Sequence, residues 1–475
     1  MSENVIDALR AALGEQAVLQ GEALEPRYRK AYFAAEPEAV QPLAVVRPRC
    51  VDEVATVLRL CHQFRQPLVT QGGMTGLSGG ALPNTGELIL SLALLRGIEE
   101  IDEMAGTMTL LAGTPLQEAQ EAAAARGFMV AIDLGARGTC QIGGNLATNA
   151  GGNRVIRYGM AKQQALGLEA VLADGTVISS LNKMLKNNAG YDLKQLFLGS
   201  EGTLGVITRA VLKLEPLPNC VQTAFCAVDS YAKVVGLLRH AQRRLSGRLS
   251  AFETLWADYY EFVTRHLPGQ REPLPSGSPF YVLLDLQGSD GERDGELFGL
   301  MLEEALAEGL ISDAVIASSE KETQSLWKLR DAPGEFPSVW PGLVSFDVSL
   351  PIGSIGPFVE ALAPLFDTRF PGCEYVHFGH VGDSNLHVCI ATPQLPAADL
   401  PEQAIKDCLY DLLRDFGGCV SAEHGIGSYK TEYLAHSRSP AEIALMRTLK
   451  LALDPHQLLN PGRVLGVDAV QSPAL

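Results

Sequence analysis

The stretch HFGHVGDSNLHV (377–388) holds three of the nine histidines of the chain. Two strand-like runs flank the pair at 383–384, so we expect a hairpin with that pair at the turn. This register places His380 directly opposite His387 on one face, with their Cβ atoms about 5 Å apart, and turns His377 to the other face. Two imidazoles at this spacing are suited to sharing one divalent ion.

Two imidazoles make half a metal site, and the segment SAEHGIG (421–427) offers a further ligand. Glu423 could supply a carboxylate oxygen. Its neighbour His424 points the other way along an extended chain and would stay available for proton transfer. A hydrogen-bonded polar hairpin that holds no metal is the alternative that these residues alone leave open.

The glycines of the chain gather in three loops, QGGMTGLSGG (71–80), GTCQIGGNLATNAGG (138–152) and GSEGTLG (199–205). Glycine allows backbone to approach a ligand closely and to adopt left-handed turns. The first loop lacks the spacing of the Rossmann dinucleotide fingerprint. We therefore expect ligand-binding loops of another kind, although tight turns in a large sheet protein would explain any one of them.

Hydrophobic periodicity outlines the elements that carry these loops. The runs LAVVRP, DEVATVLRLCHQF and PLVTQGG predict a βαβ unit that ends in the first glycine loop. A helix is expected near Pro115 and a hairpin turn at Asp174-Gly175. Prolines between Leu214 and Asn219 indicate a boundary, after which strand and helix alternation predicts an antiparallel sheet covered by helices.

Composition excludes several classes of protein. The 475 residues carry a formal net charge of -17 with no Lys/Arg run, which argues against nucleic acid or anionic membrane as a partner. No stretch approaches the roughly 18 apolar residues of a membrane span. The nine cysteines are scattered without a CxxC pair, so we expect free thiols and, with no targeting segment recognisable at the N-terminus, a cytoplasmic protein.

Taken in order, these motifs resemble the FAD-linked oxidases of the vanillyl-alcohol oxidase and p-cresol methylhydroxylase type. The resemblance is to the branch with D-2-hydroxyglutarate dehydrogenase, D-lactate dehydrogenase and the flavin subunit of glycolate oxidase. It runs from VVRPRCVDEV to LNPGRVL. It implies an α+β fold with a two-subdomain FAD-binding domain (1–219), an α+β substrate or cap domain with an antiparallel sheet and the metal site (220–428), and a helical C-terminal return (429–475).

The resemblance also assigns the glycine loops to FAD. The first loop would wrap the pyrophosphate with backbone N–H donors, and the others would line the ribityl chain, flavin ring and adenine. Because the first loop contains no histidine, the FAD would be non-covalent. The implied cofactor-binding residues are Gly72, Gly73, Met74, Thr75, Gly76, Leu77, Ser78, Gly138, Thr139, Gly143, Asn145, Thr148, Asn149, Gly151, Gly152, Gly202, Val206, Ile207 and Asn460.

For the chemistry, the resemblance implies that His380, His387 and Glu423 bind a divalent metal, zinc with manganese or iron as alternatives. His424 matches the proton acceptor, and Arg330 matches an arginine that grips a substrate carboxylate. The implied reaction oxidises a D-2-hydroxy acid to the 2-oxo acid, with the α-hydride passing to flavin N5.

Three positions depart from the D-2-hydroxyglutarate branch. Ser345 stands where a lysine is expected, Gly334 replaces a threonine and Cys389 replaces an asparagine. A second substrate carboxylate would lose these partners, and a buried unpaired carboxylate is costly. We expect a lactate-like or larger apolar monocarboxylate, bound by Arg330, Ser345, Cys389 and His424. The aromatic residues Phe336, Trp340 and Phe346 could wall the side chain of such a substrate, although core packing explains aromatic residues equally well.

Three other functions are alternatives. They are a D-2-hydroxyglutarate dehydrogenase, an oxygen-using oxidase of the same fold, and a flavin-binding module without turnover. Expected partners are the small-molecule 2-hydroxy acid and an electron acceptor, which would be an electron-transfer flavoprotein, a quinone or a cytochrome. A homodimer is also expected.

Overall fold

A computed structural model describes residues 4–32, 39–396 and 399–466. The chain divides into two compact units: Met1–Gly152, Gly159–Leu217 and Glu423–Leu475 form the first, and Asn153–Tyr158 and Pro218–Ala422 form the second. These bounds differ from the expected segments, because the chain returns to the first unit at Glu423 rather than after residue 428. The expected C-terminal segment also includes residues 467–475, which lie outside the described residues.

Helices and strands are numbered along the chain, and the first unit contains most of the short ones. Its helices are α1 (Val5–Leu13), α2 (Val51–Phe64), α3 (Leu116–Ala124), α4 (Ile142–Ala147), α6 (Ala161–Gln164), α13 (Leu434–Ser437) and α14 (Pro440–Leu453). Its strands are β1 (Val18–Leu19), β2 (Ala44–Val46), β3 (Leu68–Gln71), β4 (Leu88–Ser91), β5 (Ile98–Asp102), β6 (Thr107–Leu111), β7 (Phe128–Met129), β8 (Ala165–Val171), β9 (Val177–Ser180), β10 (Val206–Lys213) and β11 (Glu215–Pro216).

The predicted βαβ unit is confirmed as β2, α2 and β3. Asp52 and Glu53 lie in the first turn of α2, where acidic groups favour the helix dipole, and Val54 and Leu58 are buried. The two strands are both parallel to β4, which lies between them in the order β1-β2-β4-β3. Strand β3 ends where the first glycine loop begins.

A second, antiparallel sheet has the order β5-β6-β10-β8-β9 and shares one hydrophobic core with the first. The predicted turn between β8 and β9 is confirmed: Leu172 N donates to Thr176 O at 2.9 Å, and Gly175 has φ of +86°. Two sheets on one core fit the expected two-subdomain design. The second and third glycine loops are anchored in this core by residues within or beside them, such as Ile142 and Leu198.

The second unit is built on one antiparallel sheet of seven strands in the order β15-β12-β14-β13-β17-β18-β16, as the alternation predicted. Its strands are β12 (Cys220–Val228), β13 (Leu249–Trp256), β14 (Phe280–Gly288), β15 (Asp313–Ile316), β16 (Leu343–Ser349), β17 (Glu374–Gly379) and β18 (Asn385–Ala391). Its helices are α5 (Val155–Tyr158), α7 (Tyr231–Leu245), α8 (Ala257–His266), α9 (Gly291–Ala307), α10 (Glu320–Arg330), α11 (Ile352–Arg369) and α12 (Glu402–Asp415).

Helices cover both faces of this sheet. Side chains of α7 and α9 pack on one face, and α8, α10 and the 3-10 segment Ala332–Ser338 pack on the other. All nine cysteines are free, in line with the sequence. Over the ranges that the structure describes, we find no helix with the length and apolarity required to cross a bilayer.

Candidate active site

The histidine hairpin of β17 and β18 has a different register from the predicted one. Phe378, not His380, is paired with His387. The predicted two-residue turn at 383–384 is wrong. Val381–Asp383 form a 3-10 turn instead, and the loop is closed by a hydrogen bond that Asn385 N donates to His380 O. His380 still lies on the same face as His387, and their buried rings are 5.5 Å apart between centroids.

Ser384, the last residue of this loop, has φ of +76°, a left-handed conformation that glycine adopts without strain. We expect Ser384→Gly to raise the free energy of unfolding by roughly 0.5 kcal/mol, because relief of strain exceeds the added chain entropy. Chemical denaturation checks this value. Destabilisation by the same amount would contradict a strained turn.

His377 points to the opposite face, as predicted. Its Nδ1 lies 2.6 Å from Asp258 Oδ2, and its backbone N–H donates to Asp258 Oδ1. It therefore ties β17 to the start of α8 and is separated from the pair formed by His380 and His387.

His380 is held by a buried acid that the sequence analysis did not single out. Its Nδ1 lies 2.6 Å from Glu253 Oε1, while Arg330 donates from Nε to Glu253 Oε2 at 2.8 Å. Since a carboxylate only accepts, Nδ1 carries the proton and the lone pair lies on Nε2. Burial alone raises the pKa of Glu253, but His380 and Arg330 bring it down to about 2, so the carboxylate is charged at neutral pH.

His387 has a carboxylate of its own. Asp347 Oδ1 lies 3.9 Å from His387 Nδ1, and Asp347 accepts from Asn385 Nδ2 and Ser421 Oγ at 3.2 and 3.4 Å. A carboxylate on the Nδ1 side of an imidazole is a common neighbour of a metal-binding histidine, because it leaves Nε2 for the ion. The donor set in this unit therefore fits a divalent metal.

The signal for these two acids was present in the sequence but was not used. Glu253 in LSAFETLW and Asp347 in LVSFDVS are single acids within otherwise largely apolar strands. Each of these residues is only 1% exposed. A lone charge in a buried strand needs a partner. Glu253 has His380 and Arg330, and Asp347 has Asn385 and His387 of the hairpin together with Ser421.

Two of the positions that depart from the family pattern are neighbours. Ser345 and Cys389 are paired across β16 and β18, and Ser345 Oγ lies 3.5 Å from Cys389 Sγ. Cys389 is two residues beyond His387 and on the same face. Burial raises the pKa of the Cys389 thiol to about 11, although Ser345 opposes this rise, so the thiol is neutral at physiological pH.

Of the three aromatic residues predicted to wall the substrate side chain, one lies on the wrong face of the sheet. Phe336 and Trp340 lie together, with ring centroids 6.0 Å apart, in the hydrophobic core on the histidine face. Phe346 is paired with Val388 and points to the other face, where it packs against Tyr410. Side chains alternate along a strand, so Phe346 cannot share the face of its neighbour Ser345.

In the first unit, the glycine loop 138–152 holds the Glu423 carboxylate. Gly152 N donates to Glu423 Oε1 at 2.8 Å, and a Cβ on Gly151 would lie 2.6 Å from the same oxygen. Ser78 Oγ donates to the carbonyl oxygen of His424 at 2.8 Å. Two predicted cofactor loops thus fix the backbone and the acid of the EHG segment.

Glu201, in the third glycine loop, is another residue that the sequence analysis missed. Its carboxylate accepts from Ile426 N and Gly427 N, each at 2.8 Å, immediately after the EHG segment. Burial raises the pKa of Glu201, and the two N–H donors oppose that rise. A lone acid between glycines was the available signal.

The first glycine loop fits a bound phosphate group. Its left-handed positions are Met74, at φ of +58°, and Gly79, at +73°, so a methionine supplies one of the turns that glycine was expected to supply. Gly73 serves close approach instead, because a Cβ there would collide with the carbonyl oxygen of Thr139. Beside the loop, Thr70 Oγ1 and Gln141 Oε1 are buried without a hydrogen-bond partner in the described structure.

The other predicted cofactor residues fall into two groups. Val206 and Ile207 are in β10 and bury their side chains in the hydrophobic core, so only their backbone could reach a ligand. The remaining residues lie in the three glycine loops, the second of which contains α4. They are Gly72, Thr75, Gly76, Leu77, Gly138, Thr139, Gly143, Asn145, Thr148, Asn149 and Gly202.

Asn460 joins two of these segments. Its Oδ1 accepts from Thr70 N at 2.9 Å, and its Nδ2 donates to Glu201 O at 2.7 Å. Both ends of the side chain are therefore used in positioning backbone beside the first and third glycine loops.

Family profiles match both halves of the chain. Residues 42–180 match the FAD binding domain, and residues 217–464 match the C-terminal domain of FAD linked oxidases. A protein of Bos taurus named D-2-hydroxyglutarate dehydrogenase, mitochondrial, is 40% identical over 426 residues, which are 90% of this chain and 77% of the bovine protein. A D-2-hydroxyglutarate dehydrogenase of Xanthomonas citri is 38% identical over 427 residues, 89% of each chain.

The fold has solved counterparts. A crystal structure of p-cresol methylhydroxylase with substrate bound superposes with a TM-score of 0.77 at 20% identity, covering 98% of this chain and 97% of that one. The order of the motifs, the two domain profiles and the relatives, which match over most of their lengths, all indicate the same family. The chain belongs to the FAD-linked oxidases of the p-cresol methylhydroxylase type, in the branch of FAD-dependent D-2-hydroxy-acid dehydrogenases.

Proposed function

We propose that the protein oxidises a monocarboxylic D-2-hydroxy acid, lactate-like or with a larger apolar side chain, with the help of a divalent metal. Family membership supports the flavin chemistry. The observation that carries the substrate class is the pair Ser345 and Cys389, a neutral hydroxyl and a neutral thiol on the strands that hold Asp347 and His387. Neither offers a cation to a second carboxylate.

His380, His387 and Glu423 are our proposed metal ligands. Two imidazoles backed by carboxylates, together with an acid held by Gly152 N–H, are a donor set that zinc accepts and that manganese or iron could also use. When bound, the ion would supply Lewis acidity toward the substrate hydroxyl, and FAD would supply the hydride acceptor.

The residues of the chain divide the remaining work. Arg330, whose planar guanidinium suits a carboxylate, would hold the substrate acid group. His424 would accept the hydroxyl proton, and its backbone is fixed for that purpose by Ser78. We assign cofactor binding to the first unit and substrate binding to the second. FAD is proposed to be non-covalent, since the first loop holds no histidine.

A substrate panel tests the proposal. Under anaerobic conditions, D-lactate and its larger apolar homologues should reduce the flavin with a higher kcat/KM than D-2-hydroxyglutarate, and the L enantiomers should not reduce it. A ratio that favours D-2-hydroxyglutarate would instead establish the activity for which the bovine relative is named.

A double substitution tests the residues that carry the choice. Ser345→Lys with Cys389→Asn restores the expected cation and amide, so we expect kcat/KM for D-2-hydroxyglutarate to rise by about 10-fold or more, which is about 1.4 kcal/mol of transition-state stabilisation. The matched control is Ser345→Met with Cys389→Asn, which adds a side chain about as long as that of lysine but no cation and should therefore gain much less. No change of ratio in the double variant would contradict the assignment of these two positions.

Two further readings of the same site have distinct outcomes. Steady peroxide release during turnover in air would identify an oxygen-using oxidase. A yellow protein whose absorbance no 2-hydroxy acid can bleach would be a flavin-binding module without turnover.

The proposal also covers the electron acceptor, the assembly and the location of the protein. The electron acceptor is proposed to be an electron-transfer flavoprotein, a quinone or a cytochrome, and the assembly a homodimer. We propose a cytoplasmic location from the composition, whereas the bovine relative is named as mitochondrial. Fractionation of cells that express the native gene distinguishes the two.

A further inference from the structure

We propose that Glu253 is a positioning residue shared by His380 and Arg330, which couples the metal site to the substrate-carboxylate site. This inference rests on the proposed function, since it assumes the metal role of His380 and the substrate role of Arg330. It adds a residue to which the sequence motifs assign no role.

The coupling follows from how the two oxygens of one carboxylate are used. Glu253 has a side chain that is 1% exposed, so no solvent competes for it. Oε1 meets His380 Nδ1 at 2.6 Å and Oε2 accepts from Arg330 Nε at 2.8 Å. A shift of this acid must therefore move the metal ligand and the substrate anchor together.

The third contact of the cluster sharpens the inference. Arg330 Nη2 lies 2.7 Å from His380 Nε2, which carries the lone pair because Nδ1–H is donated to Glu253. One lone pair can accept an N–H or bind a metal, but not both. A metal on Nε2 must release Arg330 Nη2, while Nε stays held by Glu253. The released edge of the guanidinium is then available to a carboxylate.

The same sheet offers a matched control. Asp285 is an equally buried acid on β14, the strand next to β13, and it pairs with an arginine: Arg154 Nη1 donates to Asp285 Oδ2 at 2.7 Å. Its other partners are Thr223 Oγ1 and Trp327 Nε1, and none of these groups belongs to the histidine hairpin. Loss of Asp285 costs a buried charge pair without touching His380.

The test measures zinc affinity of the flavin-loaded protein by competition with a chromogenic chelator. Glu253→Gln has only one acceptor oxygen and cannot serve both groups, so we expect zinc affinity to fall by roughly 10- to 100-fold. Glu253→Asp should recover part of the loss, and Asp285→Asn should stay within about 3-fold of the wild type. Arg330→Met, which removes the competing N–H, should bind zinc more tightly than the wild type.

Wild-type zinc affinity in Glu253→Gln, or an equal loss in Asp285→Asn, would overturn the inference. A wild type that binds neither zinc nor manganese nor iron stoichiometrically would overturn the proposed metal site, and this inference with it. If Glu253→Gln does not fold, the tautomer of His380 in the wild type decides: ¹⁵N shifts showing a proton on Nδ1 support the inference, and a proton on Nε2 overturns it.

Discussion

Replacing His387 with glutamine should slow anaerobic flavin reduction by the preferred D-2-hydroxy acid by about 10³-fold or more, equivalent to about 4 kcal/mol of lost transition-state stabilisation. The reason is that His387 is a proposed ligand of the ion that activates the substrate hydroxyl, and the Asp347 carboxylate lies 3.9 Å from its Nδ1. Stopped-flow absorbance of the flavin measures the rate, and metal analysis measures the accompanying loss of zinc.

The neighbouring histidine of the same hairpin is the control. His377 is as deeply buried but lies on the opposite face of the sheet, bound to Asp258. We expect His377→Gln to lower stability, because a buried hydrogen-bonded pair is lost, yet to retain metal and to reduce its flavin at a rate near that of the wild type. Similar rate losses in both variants would contradict a specific role for His387.

Gly73→Ala should destabilise the protein by more than about 3 kcal/mol and abolish FAD retention. The added Cβ would collide with the carbonyl oxygen of Thr139 and lie 2.8 Å from its carbonyl carbon, and both belong to backbone that cannot rotate away. The collision would separate the loops 71–80 and 138–152, which are the proposed cofactor cradle. Thermal unfolding and the flavin-to-protein absorbance ratio measure the two effects.

Gly76, three residues further along the same loop, provides the comparison. A Cβ there meets nothing within 4 Å, so Gly76→Ala should fold with a stability close to that of the wild type. Its FAD affinity should nevertheless fall, because this loop is proposed to approach the pyrophosphate. Equal stabilities of the Gly73 and Gly76 variants would show that loop packing does not limit folding.

Local signals predicted much of this fold. The acidic first turn and apolar spacing of α2 and the turn at Asp174-Gly175 depend on near neighbours, and both are observed. The shared face of His380 and His387 also followed from strand alternation. Their register did not, because the 3-10 turn Val381–Asp383 lengthens the loop, and the pair Asp383-Ser384 is not one of the Gly-containing pairs that mark a two-residue hairpin.

The supporting acids could not be assigned from sequence alone, because their partners are remote along the chain. Glu253 meets residues 77 and 127 positions away, and Glu201 meets Ile426, 225 positions away. Spacing rules describe neighbours on one helix or hairpin and carry no information at such separations. A lone acid in an apolar strand indicates that a partner exists, but the fold is needed to name it.

Metal content and flavin reduction, measured on one preparation before and after chelation, test the central claim most directly. We predict a yellow protein with about one zinc ion per chain, whose flavin is no longer bleached by a D-2-hydroxy acid after chelation and is bleached again when zinc is restored. Full-rate bleaching by protein that retains FAD but holds far less than one equivalent of any divalent metal would contradict the account.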